Sequence, residues 1–141
     1  MRYVLDASVA LKWVLTEPDS AKAQSLRDDF RRHLHELLVP DVFSLEVAHA
    51  LTRAERRGFL KAPQAIRLLA DVLSTPMPTH ANRPLLARAV VLSSTMRCGV
   101  YDCLYVALAE REGCEFLTAD DKLVTNLGPQ YPYVISLASM P

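Results

Sequence analysis

The chain has 141 residues, half of them hydrophobic and 23% charged, with 16 basic residues against 16 acidic ones. That length fits a single domain, residues 1–141, with a core of its own, and the composition excludes a disordered chain. A net charge of zero gives no bulk sign of a nucleic-acid partner, so any such contact has to rest on local clusters.

Residues 2–5 read as a buried strand, and Val9 to Leu15 as a short helix stopped near Pro18. Asp19 or Ser20 caps a second helix that runs to about Leu37, with Ala23, Leu26, Phe30 and Leu34 near helical spacing. Leu38-Val39 is a second strand. Pro40 and Asp41 start a third helix that ends at Gly58, and Pro63 to Leu73 forms a fourth, so the two make a helical hairpin. Pro76 to Thr79 is a poor strand that only a sheet edge would tolerate, because proline cannot donate to a ladder. Residues 83–97 form a fifth helix. A sixth, Tyr101 to Glu112, carries Tyr101, Leu104, Tyr105 and Leu108 as an amphipathic stripe and stops at Gly113. Glu115 to Thr118 and Tyr133 to Leu137 are the last strands. The alternation predicts an α/β fold with a mainly parallel sheet and helices on both faces, and in such sheets ligands bind beyond the carboxyl ends of the strands.

Cys98, Cys103 and Cys114 show no zinc-type spacing and read as reduced thiols; the four histidines form no HExxH pattern. No apolar stretch approaches the ~20 residues of a membrane helix, and Asp6 interrupts the N-terminal apolar run before a signal sequence can form. A cytoplasmic protein without membrane contact is the expectation.

Four acids stand out. Asp6 follows the first strand, Asp120 follows the strand ending near Thr118, Asp102 opens the sixth helix, and Glu46 interrupts an apolar face formed by Val42, Phe43, His49 and Ala50. Each has a structural reading: Asp6 or Ser8 as a helix cap, Asp102 as a charge at a helix N-terminus, Asp120 or Asp121 as turn and cap residues. Glu46 is harder to place that way, since a buried carboxylate needs a partner or a cation. Topology alone brings Asp6 and Asp120 to the same sheet edge; several carboxylates within a few ångströms repel one another unless a cation is present, and Mg²⁺ or Mn²⁺ takes such oxygen ligands. Both readings stand on spacing alone.

Four segments carry a resemblance: Val4-Leu5-Asp6-Ala7-Ser8-Val9-Ala10, the run from Pro40 to Leu51 around Glu46, Tyr101-Asp102-Cys103-Leu104-Tyr105-Val106-Ala107-Leu108-Ala109, and Phe116-Leu117-Thr118-Ala119-Asp120. In this order and at these separations the chain resembles the PIN-domain family, in particular the VapC-like toxins of toxin–antitoxin pairs. The resemblance implies a three-layer α/β/α sandwich, an endoribonuclease requiring Mg²⁺ or Mn²⁺, frequent homodimers and a small antitoxin partner. It gives Asp6, Glu46, Asp102 and Asp120 the acidic-site roles, with Asp6 and Asp102 nearest the metal and Ser8 and Thr118 bonding to the acids or to phosphate. Asp121 is an alternative to Asp120 by one residue.

Lys12 and Arg97 lie near site elements, and Arg53, Arg56, Arg57 and Lys61 form a basic cluster for RNA or a solvated helix face. Trp13 is a candidate for base stacking, whereas Tyr105 sits on the apolar stripe and reads as core. A phosphatase of the haloacid-dehalogenase class would need a DxD where this chain has Asp6-Ala7-Ser8, and a response-regulator receiver would need an acidic pair after the first strand. The same four acids are also compatible with a stand-alone RNA-processing PIN nuclease, or with a catalytically silent PIN-like module.

Overall fold

Strand β1 (Arg2–Leu5) is the axis of a computed structural model that describes all residues, 1–141. It leads into α1 (Ala7–Leu11) and α2 (Ser20–Arg31), then β2 (Glu36–Pro40), α3 (Val42–Arg56), α4 (Gln64–Leu73) and β3 (Thr79–His80). A 3₁₀ turn at Arg83–Leu85 precedes α5 (Leu86–Met96), followed by α6 (Val100–Glu112), β4 (Glu115–Thr118), α7 (Asp121–Leu127) and β5 (Val134–Ser136). The five strands lie in the order β3-β2-β1-β4-β5, and every pairing is parallel. Helices cover both faces, giving the three-layer α/β/α sandwich.

Val4 faces Leu38 of β2 on one side and Phe116 of β4 on the other. Val4, Leu5, Phe116 and Leu117 are wholly buried. Consecutive residues of each strand are buried, so the sheet is covered on both faces, and each such side chain contributes about 1.5–3 kcal/mol. The chain steps from β1 outward through β2 and β3, then returns to the other side of β1 for β4 and β5. That reversal opens a crevice beyond the carboxyl ends of β1 and β4.

The structure departs from the sequence reading in several places. α2 stops at Arg31, not near Leu37: His33 has a left-handed φ of 62°, Leu34 is 59% exposed, and Glu36 to Leu38 pair with β1. Strand pairing overrides the helical spacing there. α1 is shorter than expected, ending at Leu11, with single turns carrying the chain to Leu15. α7 is a helix where Asp120 and Asp121 read as a turn. α6 is not amphipathic, because Cys103 to Ala109 are all buried against the sheet and α5, whereas Tyr101 is 61% exposed. β3 lies at the sheet edge but is Thr79–His80, so Pro76 and Pro78 precede the strand instead of forming part of it.

Trp13 does not offer its ring to a base. It is buried, its indole N–H donates to the Ala23 carbonyl at 2.9 Å, and the Arg27 guanidinium lies 4.7 Å over the ring. Arg27 is itself buried and donates to Thr75 Oγ1 and to the carbonyl and carboxylate of Asp71, tying α2 to the end of α4. No helix is long and apolar enough to cross a membrane.

Candidate active site

Asp6 continues the β1 ladder by one residue, donating its N–H to the Leu117 carbonyl at 3.0 Å. Its carboxylate is therefore held at the crevice by backbone pairing. Oδ2 accepts two hydrogen bonds of 2.7 Å, from Ser8 Oγ and from Thr118 Oγ1. The same hydroxyls accept in turn, Ser8 from the Ala119 N–H and Thr118 from the Asp120 N–H, both at 3.0 Å. The β1 and β4 ends are thus laced together around one carboxylate oxygen, and Oδ1 is left without a side-chain donor. Burial pushes the Asp6 carboxyl above its usual range; the two hydroxyls and the Ala7 N–H oppose this, and the charge of Asp120 adds to it.

Asp120 caps α7, its Oδ1 accepting from the N–H groups of Lys122 and Leu123. The cap assignment is correct, yet the same residue also lines the crevice. Asp121 points elsewhere and accepts from Ser136 Oγ at 2.9 Å.

Asp102 lies in the first turn of α6, and its carboxyl rises to about 6, chiefly through burial and then through the charges of Asp6 and Asp120. Glu46 projects from α3, and burial pushes its carboxyl up to about 7, with Asp6 and Asp102 adding to the rise and the Tyr105 hydroxyl opposing it. Glu46 Oε1 is buried without a hydrogen-bond partner.

These four carboxylates, drawn from four separate segments, line one cavity of about 840 Å³ together with Ser8. Its remaining wall is largely apolar, with Leu11, Val42, Leu45, Leu86, Tyr101 and Leu104. Leu45, Leu86 and Tyr101 are 68%, 43% and 61% exposed and form a lip. Asn82 and His49 also line the cavity, and neither stood out in the sequence. Asn82 Oδ1 accepts from the Val42 N–H and so caps α3 from a distance. Its one sequence signal is its place just before Arg83-Pro84, a helix-start pattern.

Lys12 and Arg97 do not line the cavity. Lys12 caps α1 with its side chain 13% exposed and directed at Glu17, and Arg97 is an exposed left-handed residue after α5. Arg53, Arg56, Arg57 and Lys61 lie around the end of α3, outside the cavity. The three cysteines are free, and the Cys98 and Cys103 sulfurs touch at 3.1 Å where the chain enters α6.

No three His, Cys, Asp or Glu side chains come close enough together to hold a metal ion as they stand. The donor set nevertheless suits a hard cation. It is all oxygen, three of its carboxyls are held above their usual range, and Glu46 offers an unused buried oxygen. A Mg²⁺-type ion needs only a few carboxylates and keeps the rest of its shell as water.

The sequence pattern of the PIN domain matches residues 3–125. The chain is 34% identical over 126 residues to Ribonuclease VapC12 of Mycobacterium tuberculosis, spanning 89% of this chain and 92% of that protein. It is 32% identical over 125 residues to Ribonuclease VapC3 of Pyrobaculum aerophilum, spanning 87% and 92%. Among solved structures, PAE2754 from Pyrobaculum aerophilum superposes with a TM-score of 0.73 at 22% identity, covering 99% of this chain and 94% of that one. VapBC2 from Rickettsia felis, solved with a DNA fragment from its promoter, gives a TM-score of 0.58 at 14% identity over 96% and 97%. These two likenesses concern the fold. With the domain pattern spanning most of the sequence and relatives above 30% identity along nearly all of it, the chain belongs to the PIN-domain family.

Proposed function

We propose that this protein is a metal-dependent endoribonuclease that hydrolyses RNA phosphodiester bonds and serves as the toxin of a toxin–antitoxin pair in the cytoplasm. The observation that carries the reading is the meeting of Asp6, Glu46, Asp102 and Asp120 in one cavity at the strand ends. Relatives named ribonucleases support the substrate class.

Asp6 and Asp102 would hold Mg²⁺ or Mn²⁺ most directly, with Glu46 and Asp120 completing the site directly or through water. Such an ion, when bound, supplies Lewis-acid stabilisation of phosphate charge and acidifies water. The chain's own residues do the rest. Ser8 and Thr118 fix the Asp6 rotamer through Oδ2 and leave Oδ1 for the cavity. Two backbone N–H groups hold Asp120 in the same way. The apolar wall keeps bulk water from one side of the carboxylates, which strengthens their field on a cation.

The exposed lip of Leu45, Leu86 and Tyr101 suits the apolar face of an antitoxin helix, and a basic side chain following that helix would compete for the carboxylates. Self-association as a homodimer is proposed on the exposed apolar residues of the α3–α4 hairpin. Phe43, Val47 and Leu51 are in the chain's own core, whereas Phe59 and Ile66 of the α3–α4 hairpin are 79% and 64% exposed. Light scattering that shows only monomer at tens of micromolar, roughly the regime of weak dimers, would count against it.

The test is cleavage of RNA by purified protein with Mg²⁺, with Mn²⁺ and in EDTA. Asp6→Asn or Asp102→Asn should lower the rate by about 10³-fold or more while the fold persists. Cleavage undiminished in EDTA refutes the metal reading. Expression of wild type should arrest growth, Asp6→Asn should not, and the product of a short neighbouring gene should restore growth and co-purify. An RNase that is harmless to its host would be a processing nuclease instead.

A further inference from the structure

Tyr105 sits three residues after Asp102 on α6, fully buried, its ring stacked on Phe116 of β4 with centroids 5.4 Å apart. Every residue from Cys103 to Ala109 is buried beside it. Its hydroxyl is also buried and has no hydrogen-bond partner. Only two other buried side-chain polar atoms in the chain share that condition, His35 Nδ1 and Glu46 Oε1. His35 belongs to a separate groove, with Arg2 and His80. Glu46 does not: the Tyr105 hydroxyl holds the Glu46 carboxyl down, while burial first, and then the charges of Asp6 and Glu46, push the phenol up against the Ala7 backbone, which holds it down.

A buried hydroxyl without a partner costs about 1–3 kcal/mol, so phenylalanine would be the better core residue at this position. The hydroxyl is a liability unless some state of the protein uses it. Of the other two orphaned atoms, the one on a residue that the hydroxyl acts on is Glu46 Oε1, an oxygen of a proposed site carboxylate. We infer that Tyr105 is a positioning residue, whose hydroxyl donates to Glu46 Oε1 in the cation-loaded site and leaves the other carboxylate oxygen to face the cavity. The inference rests on the metal reading proposed above and adds a member to that site from the core beneath it. The stacked Phe116 ring keeps the phenol from swinging away, and α6 carries Tyr105 and Asp102 as one rigid piece.

The experiment compares wild type, Tyr105→Phe, Glu46→Gln and the double variant. Each is melted in EDTA, titrated with Mn²⁺ by calorimetry, and assayed for RNA cleavage across Mn²⁺ concentrations. Tyr105→Phe should melt at or above wild type in EDTA, because it deletes an orphan hydroxyl. It should bind Mn²⁺ about 10-fold more weakly, in line with the loss of a partner that orients a ligand, and need correspondingly more Mn²⁺ for half-maximal cleavage. In the Glu46→Gln background the same change should add almost nothing.

Mn²⁺ affinity of Tyr105→Phe equal to wild type overturns the inference and leaves the metal reading standing. An equal loss in both backgrounds also overturns it, since the hydroxyl would then act through another group. A marked fall in melting temperature in EDTA does the same, because the hydroxyl would be a structural bond. Wild type that binds no Mn²⁺ removes the metal reading and the inference together.

Discussion

In protein stripped of divalent ions, Glu46→Gln should stabilise the fold near neutral and alkaline pH and lose that advantage on acidification. The folded chain moves the Glu46 carboxyl from 4.5 to about 7. A folded value above the unfolded one means that the folded state holds the proton more tightly. Stability is therefore greatest below about 4.5, declines as pH rises through this window, and carries the whole cost above about 7. At about 1.4 kcal/mol per pH unit the rise from 4.5 to about 7 sets a ceiling of roughly 3.5 kcal/mol. Glu46 is only partly buried, so solvent screening reduces this to about 1–2 kcal/mol. Glutamine keeps the shape and carries no charge at any pH. For a chain of this size about 3 °C accompanies each kcal/mol, so the variant should melt about 3–6 °C above wild type near pH 8 in EDTA. Near pH 4.5 the two curves should approach one another. Saturating Mn²⁺ should reverse the order, since a ligand at about 100 times its Kd stabilises wild type by about 2.7 kcal/mol. Differential scanning calorimetry at both pH values decides the matter. A glutamine variant that melts below wild type at the alkaline pH in EDTA, or a gap that ignores pH, would show that the ionised carboxylate is structurally paired and would refute the reasoning.

Thr118→Val should lower stability by about 1–3 kcal/mol, read as a lower melting temperature, because Asp6 loses one of two hydroxyl donors and the Asp120 N–H loses its acceptor. Asp120→Asn should cut RNA cleavage strongly while Asp121→Asn leaves it near wild type, since only the former lines the cavity; equal effects in the cleavage assay would show that the neighbouring acid shares the role. Arg27→Ala should cost about 2–4 kcal/mol in chemical denaturation, through the lost contact with Trp13 and the unpaired Thr75 hydroxyl and Asp71 carbonyl. Asp71 itself is half exposed and can rehydrate, which holds that figure below the cost of a fully buried pair.

Punctuation made parts of this fold legible. β1 is a short apolar run ended by Asp6, α3 ends shortly before Gly58 with its positive φ, and α6 stops at Gly113 with its φ of 65°. The convergence of Asp6 and Asp120 followed from topology alone, because both succeed strands that point the same way. Glu46 was legible as a carboxylate among apolar helical neighbours. What escaped depends on contacts that spacing does not encode. Residues 32–37 have helical periodicity, yet the ladder with β1 claims Glu36 to Leu38. α7 has only seven residues, too few for a periodic pattern, and its cap was indistinguishable from a turn. Tyr101 and Trp13 exchanged their expected places because an aromatic ring carries no mark of which neighbour will cover it.

The central place of β1 has a consequence for synthesis. β1 is made before both strands that flank it, β2 and β4, and the hydroxyl of Thr118 reaches Asp6 across 112 residues. Asp6 therefore leaves the ribosome long before anything can lace its carboxylate in place. At about 5–20 residues per second the wait is on the order of ten seconds. Through that interval one edge of β1 stays unpaired, and Asp102 and Asp120 have yet to join Glu46. A chain interrupted anywhere before β4 holds a loose acid and an open strand edge in place of a cavity, so a prematurely ended copy of this protein carries no assembled acidic site into the cell.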